Sequence, residues 1–492
     1  MELGFVLLCL SVFPLSQALP MRVSGGDEDI IANEDNRTVT DIIMEVNQEA
    51  DIILTEGDIR REFDRSAKYF KRCLWPKSRD GLVRVPYVTN SPSYKNFELS
   101  LFVTAMKEFE VMTCIRFVNR TNEPDYLSIE NGVGCWSYIG KIGGKQTVSL
   151  SMDGCITYSL IQHELMHNLG FYHEHTRNDR DDYIDIMWDH IASGSEEIYS
   201  LDNGNTQDIS YDYMSILHYT KYAYSTDPGL ATMLPKSDPN IPMGEAIGLS
   251  NLDVMRVNSL YSCNLCRQKL FTPGSSTYDS SSGQGYKTCL YLIQSTIRIL
   301  LQLSDINVPS SPGCSSSYIK VYDGVSQSSP VLLDKTCGRG PVPPLISSGK
   351  FMLIEIVNNQ LSALSRFIAS YQTVRYGGTY GTYNGKVTSP KFPFFYPNDV
   401  DLVYSIVAPK GYTVSLTFRS FEMDNPPACS TDYVRVIDGS LTTSPILGTY
   451  CGVMYEPLTL VSTGNVMLLQ FRSEKNNENK GFSADYNFVA TS

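Results

Sequence analysis

Hydrophobic spacing divides the chain into two regimes. In the first, Leu82-Val-Arg-Val-Pro-Tyr-Val88, Ile115-Arg-Phe-Val118, Tyr126-Leu-Ser-Ile129 and Thr147-Val-Ser-Leu150 are short apolar runs of the kind that form strands. Between the first two, Phe97, Leu101, Phe102, Ala105, Met106, Phe109 and Met112 recur at helical spacing. That stripe predicts an amphipathic helix with its apolar face in a core. A second helix is expected to start near Thr157, with turns and loops dominating after it. In the second regime, residues 266–492, helical periodicity is lost and alternating strand-like runs are separated by Ser, Gly and Pro.

The second regime is an internal repeat. Cys314-Ser-Ser-Ser-Tyr-Ile-Lys-Val-Tyr-Asp-Gly324 matches Cys429-Ser-Thr-Asp-Tyr-Val-Arg-Val-Ile-Asp-Gly439. Cys337-Gly338 then matches Cys451-Gly452, and Arg366-Phe-Ile-Ala-Ser-Tyr371 matches Gly481-Phe-Ser-Ala-Asp-Tyr486. A chain of 492 residues exceeds a single core, and about three domains is the natural expectation.

The candidate chemistry lies in the second helix. His163-Glu-Leu-Met-His-Asn-Leu-Gly-Phe-Tyr-His173 has the form H-E-x-x-H-x-x-G-x-x-H. Residues four apart share a helix face, so His163 and His167 can aim two imidazoles at one ion. Gly170 can take a positive φ and turn the chain back, so that His173 supplies a third nitrogen. Three protein ligands leave a position for water, the open arrangement of a catalytic zinc, and Glu164 stands close enough to act on that water. His175 is spare to this pattern and is expected at the surface or behind the ligands.

Composition narrows the partners. With 42% hydrophobic and 19% charged residues the chain is ordinary globular protein. A net charge of −13 argues against a nucleic-acid or anionic-membrane partner. Residues 1–18 have the short apolar run and small residues of a secretory signal with cleavage after Ala18; no segment is long enough for a membrane span. Twelve cysteines suit an extracellular compartment, and the loss of Cys9 with the signal leaves an odd number. Asn36-Arg-Thr and Asn119-Arg-Thr are glycosylation acceptors.

Residues 19–65 are acidic and lack cysteine, and end on Leu54-Thr-Glu-Gly-Asp-Ile59 followed by Arg60-Arg61 and Arg65. They read either as a flexible, solvated linker or as a pro-segment. Their place ahead of the metal motif favours a pro-segment in which Asp58 fills the open position until proteolysis removes it.

The motif continues as Gly170-Phe171-x-His173-Glu174-x-x-Arg177-x-Asp179-Arg180-Asp181, and further on comes Ser215-Ile-Leu-His-Tyr219. Together these resemble the astacin family of metzincin peptidases, whose turn beneath the zinc reads S-x-M-H-Y. The resemblance implies an α+β metzincin catalytic domain, zinc bound by His163, His167 and His173, Glu164 as base, and Tyr219 stabilising the tetrahedral intermediate. Leu217 stands where the family has methionine; the two have similar volume, so a retained site is expected at a cost below about 1.5 kcal/mol. Family zymogens carry F-x-G-D, matched here by Thr55-Glu56-Gly57-Asp58 with Thr55 for phenylalanine, which makes Asp58 the inhibitory zinc ligand. The same resemblance implies cleavage after Arg65 and contact of the new terminus with Glu174. A family Gly-Gln-Arg appears as Gly244-Glu245-Ala246, leaving preference after the scissile bond open. It also implies disulfides Cys114–Cys263 and Cys135–Cys155. Cys73 resembles the second cysteine of an extra pair in egg-hatching members, and with no partner just upstream it becomes the odd thiol.

The repeats resemble CUB domains, all-β sandwiches that usually hold two disulfides. Cys266–Cys289 and Cys314–Cys337 follow for the first copy and Cys429–Cys451 for the second, where Tyr376 and Leu402 replace the other pair. Some CUB domains bind calcium through acids at one end. Asp424, Asp432 and Glu474 match those positions in the second copy; Asn307 and Ser317 stand there in the first.

The expected organisation is signal 1–18, propeptide 19–65, catalytic domain 66–265, and CUB domains 266–374 and 375–492. The order most resembles egg-hatching enzymes. It implies a secreted zinc endopeptidase, released by an activating protease and acting on egg-envelope or extracellular-matrix proteins, with calcium as an additional ion of the second CUB domain. A catalytically silent matrix-binding protein and a tolloid-like processing protease are the alternatives. The latter is disfavoured because no EGF-like cysteine cluster separates the CUB copies.

Overall fold

Residues 37–48, 52–60, 73–89, 92–202, 206–279, 286–340, 342–359, 365–474 and 479–491 are described by a computed structural model. The signal segment, Cys9, Asn36 and the cleavage region from Arg61 to Ala67 lie outside these residues.

The first half is built on a mixed sheet. Strands β3 (Val83–Thr89), β4 (Ile115–Asn119), β5 (Tyr126–Glu130) and β7 (Lys145–Leu150) run parallel in the order β7-β5-β3-β4, and β6 (Cys135–Tyr138) joins antiparallel to β7. Two short strands of the expected pro-segment, β1 (Leu54–Thr55) and β2 (Ile59–Arg60), extend that edge, β2 pairing with β6 in parallel. The expected amphipathic helix is α2 (Asn96–Met112), which buries Phe102, Ala105, Met106, Phe109 and Met112. Phe97 departs from the stripe: it sits in the first turn, 71% exposed, before the helix has reached the sheet.

Helix α3 (Tyr158–Asn168) carries the metal motif, with Thr157 as its N-cap accepting from the Leu160 amide. From Leu160 to Asn168 every residue is buried, so the helix runs through the interior. After it come short 3₁₀ turns and the antiparallel pair β8 (Ile184–Ile186) and β9 (Met233–Pro235) around a second small core that includes Tyr199, Tyr211 and Met233. Two helices were not expected from the sequence. Helix α1 (Val39–Asn47), ahead of β1, buries Ile42 and Ile43 in the main core, and α4 (Asn251–Leu260) closes the domain. Both start on capping boxes, Thr38 with Asp41 and Ser250 with Asp253.

Each repeat is a two-sheet sandwich. In the first, the strands Cys266–Phe271, Thr288–Gln294, Phe351–Asn358, Ser317–Tyr322 and Val331–Thr336 lie side by side in that order. The facing sheet places Arg366–Val374 between Gly274–Asp279 and Arg298–Val308. Ile293, Ile319 and Ile354 from one sheet meet Leu301, Phe367 and Ala369 from the other. The second repeat copies this order around Val414, Leu416, Val434, Leu469 and Phe482.

Disulfides join Cys114–Cys263, Cys135–Cys155, Cys266–Cys289, Cys314–Cys337 and Cys429–Cys451, and among the described residues Cys73 carries a free thiol. In the second repeat Gly378 pairs with Tyr404, a register that sets Tyr376 across from Leu402 two residues earlier; both side chains pack into the apolar core.

Candidate metal centre

The metal motif assembles as its spacing requires. His163 and His167 lie one turn apart on α3, and Gly170, at φ +105°, lets the chain leave the helix while its amide bonds the His167 carbonyl at 2.8 Å. The chain then returns to bring His173 alongside. The His163 Nδ1 lies 2.7 Å from the Ile216 carbonyl oxygen, that of His167 2.7 Å from the Phe171 carbonyl oxygen, and that of His173 2.8 Å from Glu56 Oε2. Each Nδ1 faces an acceptor and so carries the proton, which leaves the lone pair on Nε2. The three Nε2 atoms converge, with His163 3.1 Å from His167 and 3.3 Å from His173. Three buried lone pairs at this separation repel unless a cation lies between them. The donor set therefore fits zinc.

The segment ahead of the catalytic sheet supplies a fourth donor. Asp58 Oδ2 is 2.8 Å from His163 Nε2, 3.4 Å from that of His173 and 3.6 Å from that of His167. Asp58 and these three histidines are the one group of potential metal ligands that converge among the described residues. Glu164 is also buried, and neither of its carboxylate oxygens has a hydrogen-bond partner among the described residues. Desolvation, with the Asp58 charge adding to it, pushes the Glu164 carboxyl well up.

Other contacts from that segment reach the same centre. The Ser137 amide of β6 donates to the Asp58 carbonyl at 3.0 Å, and the Tyr219 hydroxyl donates to the Glu56 carbonyl. Gly57 turns between them at φ +87°. Asn47, at the end of α1, bonds both Gly57 and Cys135. Arg60 lies over the Trp136 ring, 4.9 Å from its centroid.

Beneath the histidines runs the Ser215–Tyr219 turn. Asp253 of α4 accepts from Ser215 Oγ at 2.7 Å and from the Ile216 amide at 2.9 Å, and Ile216 in turn receives His163. Leu217 is buried in the main core, and its carbonyl accepts from the Glu174 amide. His218 Nε2 meets the Tyr211 hydroxyl at 2.7 Å. His175 is fully buried, not at the surface; it stacks on Tyr219 with centroids 4.3 Å apart, and its Nε2 lies 3.1 Å from the Ile198 carbonyl. Glu174 is held by Arg256 of α4, by Arg177 Nη1 at 3.2 Å and by the Asp212 amide at 2.8 Å. A new terminus would have to enter that network.

Glu56, Asp253 and Arg256 are functional neighbours that the sequence did not reveal. Only Asp253 left a trace, in the Ser250-x-x-Asp253 capping pattern.

Residues 71–262 match the peptidase family profile described as Astacin, and residues 266–371 and 377–486 match the CUB domain. The chain is 38% identical over 472 residues to "Embryonic protein UVS.2" of Xenopus laevis, covering 95% of this chain and 91% of that one. The chain belongs to the astacin family. An "Astacin-like metalloendopeptidase" of Coturnix japonica is 40% identical over 363 residues, covering 73% of this chain and 87% of that one. Among solved structures, the hatching enzyme zinc-protease High choriolytic enzyme 1 of Oryzias latipes is 40% identical, covering 42% of this chain and 100% of that one, with a TM-score of 0.38. This astacin is accordingly a zinc metalloendopeptidase with two CUB domains. No helix among its described residues is long and apolar enough to cross a membrane.

In the second CUB domain of this astacin, Asp432 is buried and accepts from the Tyr396 hydroxyl at 2.8 Å and the Glu474 amide at 2.9 Å, while the Asp424 amide donates to the Tyr396 hydroxyl at 3.1 Å. Desolvation, with Asp424 and Glu474 adding their charge, pushes the Asp432 carboxyl up. In the first, Asn307 accepts from Arg339 and Ser317 bonds Asn358. Asn119 is exposed at the end of β4.

Proposed function

We propose that this protein is a secreted endopeptidase made as a zymogen, in which His163, His167 and His173 hold one zinc and Glu164 is the general base. The convergence of three Nε2 lone pairs beside a buried, unpartnered carboxylate carries this reading. Zinc, when bound, acidifies a water and draws charge from a carbonyl oxygen. Glu164 takes the proton of the attacking water and returns it to the leaving amine. The Tyr219 hydroxyl, freed from the Glu56 carbonyl, donates to the oxyanion. In purified, activated enzyme, Glu164→Gln should keep its zinc and lose roughly 100- to 10,000-fold in kcat/KM on casein. Chelation should abolish hydrolysis by the parent enzyme. Undiminished hydrolysis by the variant would overturn the Glu164 assignment, whereas a parent chain that hydrolyses nothing after activation would favour a silent matrix-binding role.

Inhibition rests on Asp58, which stands where the attacking water would be, and on β2, which covers the β6 edge that an extended substrate would pair with. Cleavage after Arg65 removes both. Asp58→Ala should give the intact chain measurable peptidase activity or speed its activation by an added protease; an unchanged activation time course would count against this role.

The substrate is placed among egg-envelope or matrix proteins, with the CUB domains docking the enzyme. This placement is supported by the sequence likeness to "High choriolytic enzyme 1" of Oryzias latipes and to "Embryonic protein UVS.2" of Xenopus laevis. Asp424, Asp432 and Glu474 would hold calcium in the second CUB domain, because two further acids beside the buried Asp432 carboxylate favour a hard cation.

A further inference from the structure

Tyr158 and Gln162 lie four residues apart on α3, on a face adjoining the one that carries His163 and His167. Both reach the same buried carboxylate. Glu108 of α2 accepts from the Tyr158 hydroxyl and from Gln162 Nε2 at 3.0 Å. Gln162 then accepts the Leu249 amide at 2.9 Å, just ahead of α4. Helices α2 and α3 thus meet at Glu108, whose side chain is 0% exposed, and Gln162 links them to the segment ahead of α4.

A carboxylate so enclosed needs a counter-charge, and among the described residues no cation of the catalytic domain pairs with it. Lys269, on the first strand of the first CUB domain, does: its ammonium is 0% exposed and bonds Glu108 Oε1. The surroundings are apolar. Leu290, Leu292, Tyr322 and Leu353 of the CUB sandwich belong to the same continuous core as Phe109, Leu160 and Ile161 of the catalytic domain. Phe351 lies against Tyr158 with centroids 5.3 Å apart. Around this core Arg267 bonds the Val111 carbonyl, the Lys269 amide bonds Asn251, and Gln294 bonds the Ile247 carbonyl. A mobile, tethered module would present a polar, solvated face to its neighbour instead of sharing a core.

We propose that the first CUB domain is a fixed half of the catalytic unit, and that Lys269 holds the zinc helix in place from behind by neutralising Glu108. Without Lys269 the carboxylate is stranded, and Tyr158 and Gln162 lose the anchor that sets the helix bearing His163 and Glu164. This goes beyond the peptidase reading and concerns how its site is supported.

Full-length Lys269→Met, Glu108→Gln and the double variant test it. Breaking a buried pair on one side leaves an uncompensated charge, whereas removing both charges does not. Lys269→Met should therefore lower Tm by on the order of 10 °C. It should also speed zinc loss to a chelator by about 10-fold. The double variant should recover most of both. Unchanged Tm and zinc release in Lys269→Met, or a double variant as impaired as the single one, would overturn the proposal. If Lys269→Met fails to fold, a folded double variant supports it and an unfolded one overturns it. In the wild-type chain, removing zinc should raise hydrogen exchange in the CUB strands 288–294 and 351–358; protection there that ignores zinc is the contrary result. A chain that binds no zinc would sink the peptidase reading, while the melting comparison of the variants would still decide this one.

Discussion

Gly57 decides by its missing side chain whether the centre can be covered. A Cβ there would stand 2.2 Å from the Tyr224 hydroxyl and 2.8 Å from that of Tyr219, at a φ of +87° that L side chains rarely adopt. Gly57→Ala should therefore loosen the pro-segment without touching a metal donor. Activation should quicken as with Asp58→Ala, while the kcat of the fully processed enzyme stays at the parent value. A slower activation would contradict the docking. Leu217 is the reverse case, a residue whose replacement should hardly register. It is buried at 2% exposure under the histidines, and it holds Glu174 through its backbone carbonyl, not its side chain. Leu217→Met, which restores the family residue, should change stability by less than about 1.5 kcal/mol, read by denaturant titration, and leave zinc content unaltered. At this scale the histidines and Glu164 were legible because their spacing is local, one helix turn and one reversal. Glu56 was not, because its role depends on a fold-back across more than a hundred residues to His173.

Among elements, α4 has the widest influence on the site for its length. Asp253 completes the capping box that Ser250 opens and anchors the Ser215–Tyr219 turn, and Arg256 one turn later pairs with Glu174. Asp253→Ala removes a cap and two buried acceptors together. The expected cost is about 3 kcal/mol, measured by denaturant titration, with faster zinc loss because Ile216 supports His163. A loss confined to a few tenths of a kcal/mol would mean that the turn holds without α4. The helix escaped the hydrophobic pattern because its buried face includes Asp253 and Arg256 beside Val254 and Val257. Helix α1 was hidden similarly inside an acidic segment, although Ile42 and Ile43 reach the main core. The strands and α2 were visible because their buried faces are apolar almost throughout.

Over the whole molecule, charge is placed differently in the two CUB domains. The first spends its buried lysine on the catalytic domain; the second gathers acids at one end, with Asp432 enclosed between Asp424 and Glu474. If those acids hold calcium, a hundredfold excess of the ion over its Kd should stabilise that domain by about 2.7 kcal/mol. The gain would be seen as a calcium-dependent rise in Tm that Asp432→Asn abolishes. A melting curve indifferent to calcium would remove the ion from this domain. The repeat, its lost cysteine pair and the family of each segment could all be read along the chain, since each is a pattern of neighbours or of equal spacing.

Order along the chain was enough to establish the metal motif, the family, the strands of the catalytic sheet, the helix that covers it and the repetition of the tail. These follow from local periodicity and fixed offsets. The folded arrangement was needed to show that Glu56 reaches His173, that α4 braces the turn under the site, and that Lys269 closes a buried carboxylate behind the zinc helix. Those are pairings of charge and hydrogen bond between distant segments. Their energy depends on which groups lose water together, and linear order leaves that unspecified.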